Sequence, residues 1–472
     1  MAFRRFAVIV LCGLFLVFAA SAQKTPPRRA VYLPYSEAQP IAEAMADILP
    51  PELKSLTENE RAQGWTNWLK QRDRAIRERL ALGDEDSLVN FLLFGAAFTK
   101  QPRFSPKQLG ALAGQSGDPL AVALAGRLND FANALAKPNT NERLLFTRQW
   151  LANKGFRFVA EADRAKVKGY LKASVERVLR EQDSYARAVA MAQAGGDASE
   201  EFAARSTLYR ERGLSSDTSL RPDFALDEAL KGLKEQKLLA PDSVRRVAIV
   251  GPGLDFTDKQ DGYDFYPQQT IQPFAIIDSL LRLGLSRLDT LQVTTLDLSP
   301  RVNAHIARAR QAAQRGGAYT VQLPRPEQGQ WNAEMTAYWQ RFGDHIGAPA
   351  APAAIPPQIT GVTSRAVKIR SNVVARLMPP VDTNIVLQRL EMPDNERFDL
   401  IIATNILVYY DNFEQSLALR NVERMLRPGG FLLSNNALLE LPFIGVHSAN
   451  YSTTVYSERP GDGDHIVWYQ RQ

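Results

Sequence analysis

The chain has 472 residues, too many for one ordinary domain, so two or three are expected. Hydrophobic residues make up 45% and charged residues 23%, which is globular rather than disordered composition. The formal net charge is +6, with Lys and Arg interspersed among Glu and Asp, which argues against a nucleic-acid-binding surface.

Residues 1–22 have the pattern of a secretory signal peptide. Arg4 and Arg5 precede a 15-residue apolar run from Phe6 to Ala20, short for a membrane span. Ala20-Ser-Ala22 suits signal peptidase, and the single cysteine, Cys12, lies inside the run. A chain cleaved there has no thiol and no cysteine metal site, and the expectation is an exported protein, periplasmic or secreted. Lys24, Arg28 and Arg29 follow the run and resist translocation, which keeps open an uncleaved anchor with a cytoplasmic body. On either reading membrane contact is confined to this N-terminal segment.

Residues 23–46, with Pro26, Pro27, Pro34 and Pro40, are expected to be an extended linker. Residues 47–236 read as an all-α module. Trp65, Trp68, Leu69, Ile76 and Leu80 recur at helical spacing between Glu60 and Leu82. Asp84-Glu-Asp86 is placed to cap a second helix, Leu88 to Phe98, and Pro119 opens another. Further helices are expected over Glu142–Leu151, Ala160–Ala194 and Ser199–Arg212. The module carries no motif, and its aromatic residues read as core.

From residue 244 to 472 the pattern changes to alternating strands and helices, an α/β arrangement with a parallel sheet. Strands are expected at Val247–Val250, Leu291–Leu296, Ile385–Leu390, Leu400–Ala403 and Phe431–Ser434. Helices are expected at Phe274–Leu283, Asn303–Gln314 and Phe413–Met425. An Ala/Pro-rich stretch over 345–358 reads as a flexible insertion, and Tyr451–Tyr469 as a closing antiparallel hairpin around a glycine turn.

Four segments carry chemistry. Val247 to Phe256 is a buried strand ending in the Gly251-Pro-Gly253 turn, where a side chain would block close approach of a ligand. Thr294 to Pro300 is a strand ending in Asp297, an acceptor for a ribose diol or a helix cap beside Ser299. Phe398 to Asp411 is a buried strand with Thr404-Asn405 at its tip, followed by Tyr409 and Tyr410. Leu426-Arg-Pro-Gly-Gly430 turns into the next strand. This order resembles the class I S-adenosylmethionine-dependent methyltransferases, and Asn405 to Asp411 is similar to their chemotaxis-receptor branch. The resemblance implies a Rossmann-like methyltransferase-type sheet ending in an antiparallel hairpin, with S-adenosylmethionine as cofactor. It implies Gly251, Gly253, Asp255, Asp297 and Asn405 as cofactor-binding residues. It makes Asn405, Tyr409 and Tyr410 candidates for the reacting side, through positioning and the cation-steadying faces of tyrosine rings.

The departures from that pattern are local. Ile249 stands where the family has an acid, and Asp255 where it has a third glycine. Forty-seven residues separate Val250 from Asp297, and the excess is the acidic, aromatic stretch Asp258 to Pro267. Other chemistries lack their motifs: there is no Gly-x-Ser-x-Gly elbow and no Walker loop, Phe256 breaks a nicotinamide fingerprint, and His305, His345, His447 and His465 stand singly. No metal is expected. Two functions stay open: a methyltransferase of unknown acceptor, and a non-catalytic cell-envelope protein that keeps the fold and binds an envelope partner through its helical module.

Overall fold

The structure is a computed structural model that describes residues 29–104, 108–109, 118–194, 212–256, 263–327, 331–459 and 462–472. The expected signal peptide, the start of the linker, nearly all of the expected helix Ser199–Arg212 and half of the 258–267 stretch lie outside those residues. Strand β1 (Ala30–Tyr32) and helix α1 (Tyr35–Ala44) open the described chain. They are not a linker. β1 pairs antiparallel with β8 (Gln388–Leu390), and Leu33, Ala38 and Ile41 are fully buried. Prolines mark extended backbone in sequence, but here Pro34 merely precedes the helix, and Pro40 lies within it.

Helix α2 runs unbroken from Glu58 to Phe94, capped by a reciprocal Thr57–Glu60 box. Asp84-Glu-Asp86 therefore caps nothing. Asp84 faces Arg301 at 3.3 Å and Asp86 faces Arg177 at 2.6 Å, so tertiary ion pairs hold the acids in mid-helix. The second half of α2 packs with α3 (Asp118–Ala136), α4 (Glu142–Asn153) and α5 (Glu161–Ala194) around Phe91, Phe131 and Leu171, an all-α region. Helix α6 (Leu220–Glu235) lies instead against α7 (Gln272–Arg282) and the sheet's hairpin edge.

The central sheet has seven strands. They are β2 (Arg246–Val250), β3 (Gln292–Asp297), β7 (Val381–Asp382), β9 (Phe398–Ala403), β10 (Leu426–Ser434), β11 (Val446–Val455) and β12 (Gly463–Arg471). Their spatial order is β11-β12-β10-β9-β2-β3-β7. The pairs from β10 to β7 are parallel, and β12 and β11 close the sheet antiparallel. The chain is thus a mixed α/β protein with a helical N-terminal region and a mostly parallel sheet, as the sequence implies. Alternate strand residues face opposite layers. Val247, Ile249 and Val293 meet α6, α7 and helix α8 (Pro300–Gln314), while Ala248, Val250 and Leu296 meet α1, the first half of α2 and helix α10 (Asn412–Met425).

Between α8 and β7 an antiparallel sheet is inserted, β4 (Tyr319–Pro326), β6 (Val362–Ile369) and β5 (Gly347–Ala350), together with helix α9 (Ala333–Arg341). The Ala/Pro stretch 345–358 therefore includes a paired edge strand, where its proline costs no ladder bond on the open side. The third parallel strand is Val381–Asp382, just ahead of the expected Ile385–Leu390. Part of the expected run, Gln388–Leu390, is the β8 that pairs with β1.

Candidate active site

The strand order reverses at β2: the chain runs outward through β3 and β7, then crosses back to β9 on the other side. In open α/β sheets the crevice beyond the carboxyl ends at such a reversal is where ligands bind. Gly251 and Gly253 follow β2 with φ of 64° and 66°, a left-handed conformation that glycine adopts without strain. Gly251 N–H closes the turn onto Leu296 O at 2.8 Å.

Asp297 ends β3, buried, and accepts from Ser299 N–H at 2.7 Å and from Gly253 N–H. It therefore joins the β2 turn to the start of α8, while Ser299 itself is the helix cap. Burial pushes its carboxyl up to about 7, against the lowering pull of those two N–H groups and of Arg301.

At the tip of β9, Asn405 has φ of 57°. Its N–H donates to Asn435 Oδ1 at 2.8 Å, and its Oδ1 accepts from Asn435 Nδ2 at 2.6 Å. Asn435, beyond the end of β10, locks this tip; it carries no motif of its own in the sequence. Thr404 Oγ1 accepts from the buried Gln272 Nε2 at 3.1 Å. Behind Gln272 the carboxyl of Asp223 is enclosed, and desolvation holds it well above the carboxylate range. Tyr410 is buried beneath Arg79, whose guanidinium lies 5.9 Å from the ring centre, while Tyr409 is half-buried. Burial raises the Tyr410 phenol. α10 then starts at an Asp411–Glu414 capping box, so the motif's acid fixes the helix behind the tip.

Two cavities meet at Gly251, Ile406 and Tyr409. The larger, about 450 Å³, is polar and reaches Thr404, Asn405, Asp217, Gln272 and the hairpin residue Asp464. That volume lies in the range of small-molecule sites, roughly 300–1,000 Å³. The smaller holds only about 60 Å³ beside Asp297 and Thr383, under Leu80, Leu214, Ile385 and Tyr410. Space for a few waters remains there, not for a ribose. The glycine cradle is also occupied. A Cβ on Gly251 would fall 2.2 Å from Ile406 Cδ1, and one on Gly253 would fall 2.9 Å from Ser216 O. The donor set suits a nucleoside, whereas the space at its ribose end is filled by the chain's own side chains, so in this conformation S-adenosylmethionine does not fit.

No protein-family model matches the chain, and no curated protein sequence matches it. Similar solved structures include the N-methyltransferase NodS from Bradyrhizobium japonicum WM9, at 14% identity over 52% of this chain and 97% of that one, with a TM-score of 0.25. A TehB-like SAM-dependent methyltransferase from Corynebacterium glutamicum has 11% identity over 53% of this chain and 98% of that one, with a TM-score of 0.23. The glycopeptide N-methyltransferase MtfA, complexed with S-adenosyl-L-homocysteine, has 13% identity over 52% and 63%, with a TM-score of 0.21. Scores of this size carry no argument; the fold assignment rests on strand order and direction.

The remaining sequence-expected residues divide. Gly251, Asp297, Asn405, Tyr409 and Tyr410 line the two cavities, with Gly253 bonded to Asp297. Asp255 lines neither. Its carboxylate accepts from Tyr266 Oη at 2.8 Å and Gln269 Nε2 at 2.9 Å, an internal knot at the root of the 258–267 stretch. Asp382, at the end of β7, escapes sequence reasoning because its strand is two residues long and follows two prolines. It faces Arg77 of α2 through two bonds, at 3.2 and 2.8 Å. Among the described residues no cluster of three His, Cys, Asp or Glu has the arrangement of a metal site, and no helix is long and apolar enough to cross a membrane.

Proposed function

We propose that this chain is an S-adenosylmethionine-dependent methyltransferase. The observation that carries the reading is the polar cavity of about 450 Å³ at the strand-order reversal, bounded by the Gly251 turn on one side and the Thr404–Asn405 tip on the other. With the ribose end opened, the cofactor would lie along Gly251, Gly253 and Asp297, with its methyl end toward Asn405 and the acceptor entering from the Tyr409 and hairpin side. Methyl transfer is an in-line displacement that needs position and exclusion of water, not a metal or a covalent intermediate. Calorimetric titration of the protein with S-adenosylhomocysteine tests it: binding heat and a raised melting temperature are expected. A flat titration with no melting shift, in the parent and in variants that open the ribose end, would sink the reading.

A second reading is favoured by the filled ribose end. On it the chain is a non-catalytic cell-envelope protein, exported by its leading segment away from the cytoplasm where S-adenosylmethionine is made. Its methyltransferase fold then serves as a scaffold for partner binding through the helical region. That reading expects the flat titration.

A further inference from the structure

The ribose end of the crevice is closed by residues remote in the chain from the β-strands that build it. Leu80 of α2 and Leu214 stand over Asp297 and Thr383. One turn before Leu80, Arg77 grips both oxygens of Asp382. Arg79 donates to Tyr409 O at 3.0 Å and to Arg212 O at 3.2 Å, and accepts from Leu214 N–H at 2.9 Å through its own carbonyl. The segment 212–218 is thus stitched to α2 on one side. On the other it is stitched to the β2 turn, by Leu254 N–H to Ser216 O at 2.8 Å and Thr218 N–H to Leu254 O at 3.1 Å. Glycines make this approach feasible: a Cβ on Gly83 would lie 1.8 Å from Leu214 O.

What lies beneath the cover is polar. Asp297 is a buried carboxyl, and the buried Thr383 Oγ1 has no hydrogen-bond partner. Asp297 already accepts from Ser299 and Gly253 N–H, but leucine and isoleucine side chains set over the orphaned Thr383 hydroxyl leave that group desolvated without compensation, which is unfavourable. A ligand hydroxyl seated there would give Thr383 its missing partner. The cover is also attached by terms of different kinds: an Arg77–Asp382 pair in which Asp382 is half-exposed, and the apolar Leu80.

We propose that α2 and the segment 212–218 form a built-in plug over a latent nucleoside site, held shut chiefly by Leu80 and Arg77. The plug rests on the methyltransferase reading. Ligand then binds only to the fraction of molecules in which the cover has moved, and apparent affinity falls by that fraction. Removing the cover restores it.

The experiment is calorimetric and stopped-flow titration of the full chain, Leu80→Ala and Arg77→Gln with S-adenosylhomocysteine. The parent protein is expected to bind weakly, with an association rate that levels off as ligand rises. Leu80→Ala is expected to bind about tenfold more tightly or better, and Arg77→Gln more tightly by a smaller factor, both with faster association. If Leu80→Ala does not fold, Arg77→Gln decides alone, because its side chain is partly exposed rather than in the core. A parent that binds with variants of equal or weaker affinity overturns the plug and leaves the methyltransferase reading standing. Absence of binding in the parent and in every folded variant overturns both.

Discussion

Asp297 shows how one side chain can serve structure and chemistry at once. It receives N–H groups from Gly253 and Ser299 and so fixes the β2 turn against α8. Desolvation outweighs those bonds and raises its carboxyl from the usual range to about 7. The folded protein therefore holds a proton that the unfolded chain releases near pH 4, so this residue's contribution to stability is full below about pH 4 and is lost as pH rises toward about 7. Asp297→Asn removes the titration. The melting temperature of Asp297→Asn relative to the parent is expected to rise between pH 4 and pH 7.5, measured in matched buffers. A difference independent of pH would mean that Asp297 is ionised throughout. The type and place of this residue were legible in sequence, as an acid ending a strand before Ser-Pro. Its protonation was not, because desolvation depends on Leu80 and Leu214, which come from elsewhere in the chain.

At the scale of elements, the strands of the sheet core are readable because burial on both faces leaves continuous apolar runs such as Leu400 to Ala403. β7 is not, since two residues carry no period. Helix α2 reads in sequence as two helices because Asp84 and Asp86 look like a cap, and only their partners Arg301 and Arg177 show that they belong in mid-helix. The converse case is Asp411. In sequence it closes a run that suggests a reacting site; in the structure it is the N-cap of α10, accepting from Glu414 N–H at 2.9 Å. Asp411→Ala is expected to cost about 1 kcal/mol, the usual loss on removing such a cap. Urea denaturation checks it, and Asp411→Asn, which retains the acceptor, is expected to recover most of the loss. A loss that Asn does not recover would point to a role for the carboxylate beyond capping.

The two regions are joined into one molecule by the stretch that follows the β2 turn. Phe256 leaves the sheet and packs edge-on to Phe91 and Phe146 in the helical core. Asp264 accepts from Ala96 N–H at 2.8 Å and Ala97 N–H at 2.9 Å, beyond the end of α2. Arg143 of α4 is buried and donates to the carbonyls of Phe256, Tyr266 and Asp255, with its guanidinium 5.4 Å from the centre of the Tyr266 ring. In sequence this stretch is only an acidic, aromatic excess between β2 and β3. Its described residues are instead a bracket between the helices and the sheet, and nothing local could show this, because Arg143 lies more than a hundred residues earlier. Arg143→Met keeps the apolar stem and strands three buried carbonyls. Each unpaired buried polar group costs about 1–3 kcal/mol, so a loss of about 3 kcal/mol or more is expected. Arg143→Lys is expected to rescue little, since one ammonium cannot reproduce the planar fork that spans the three acceptors. Followed by urea with tryptophan fluorescence and far-ultraviolet circular dichroism together, the parent is expected to unfold in one coincident transition. Arg143→Met is expected to separate the two probes as the helical region loosens before the sheet. Coincident curves and an unchanged midpoint in Arg143→Met would show that the bracket does not couple the two halves.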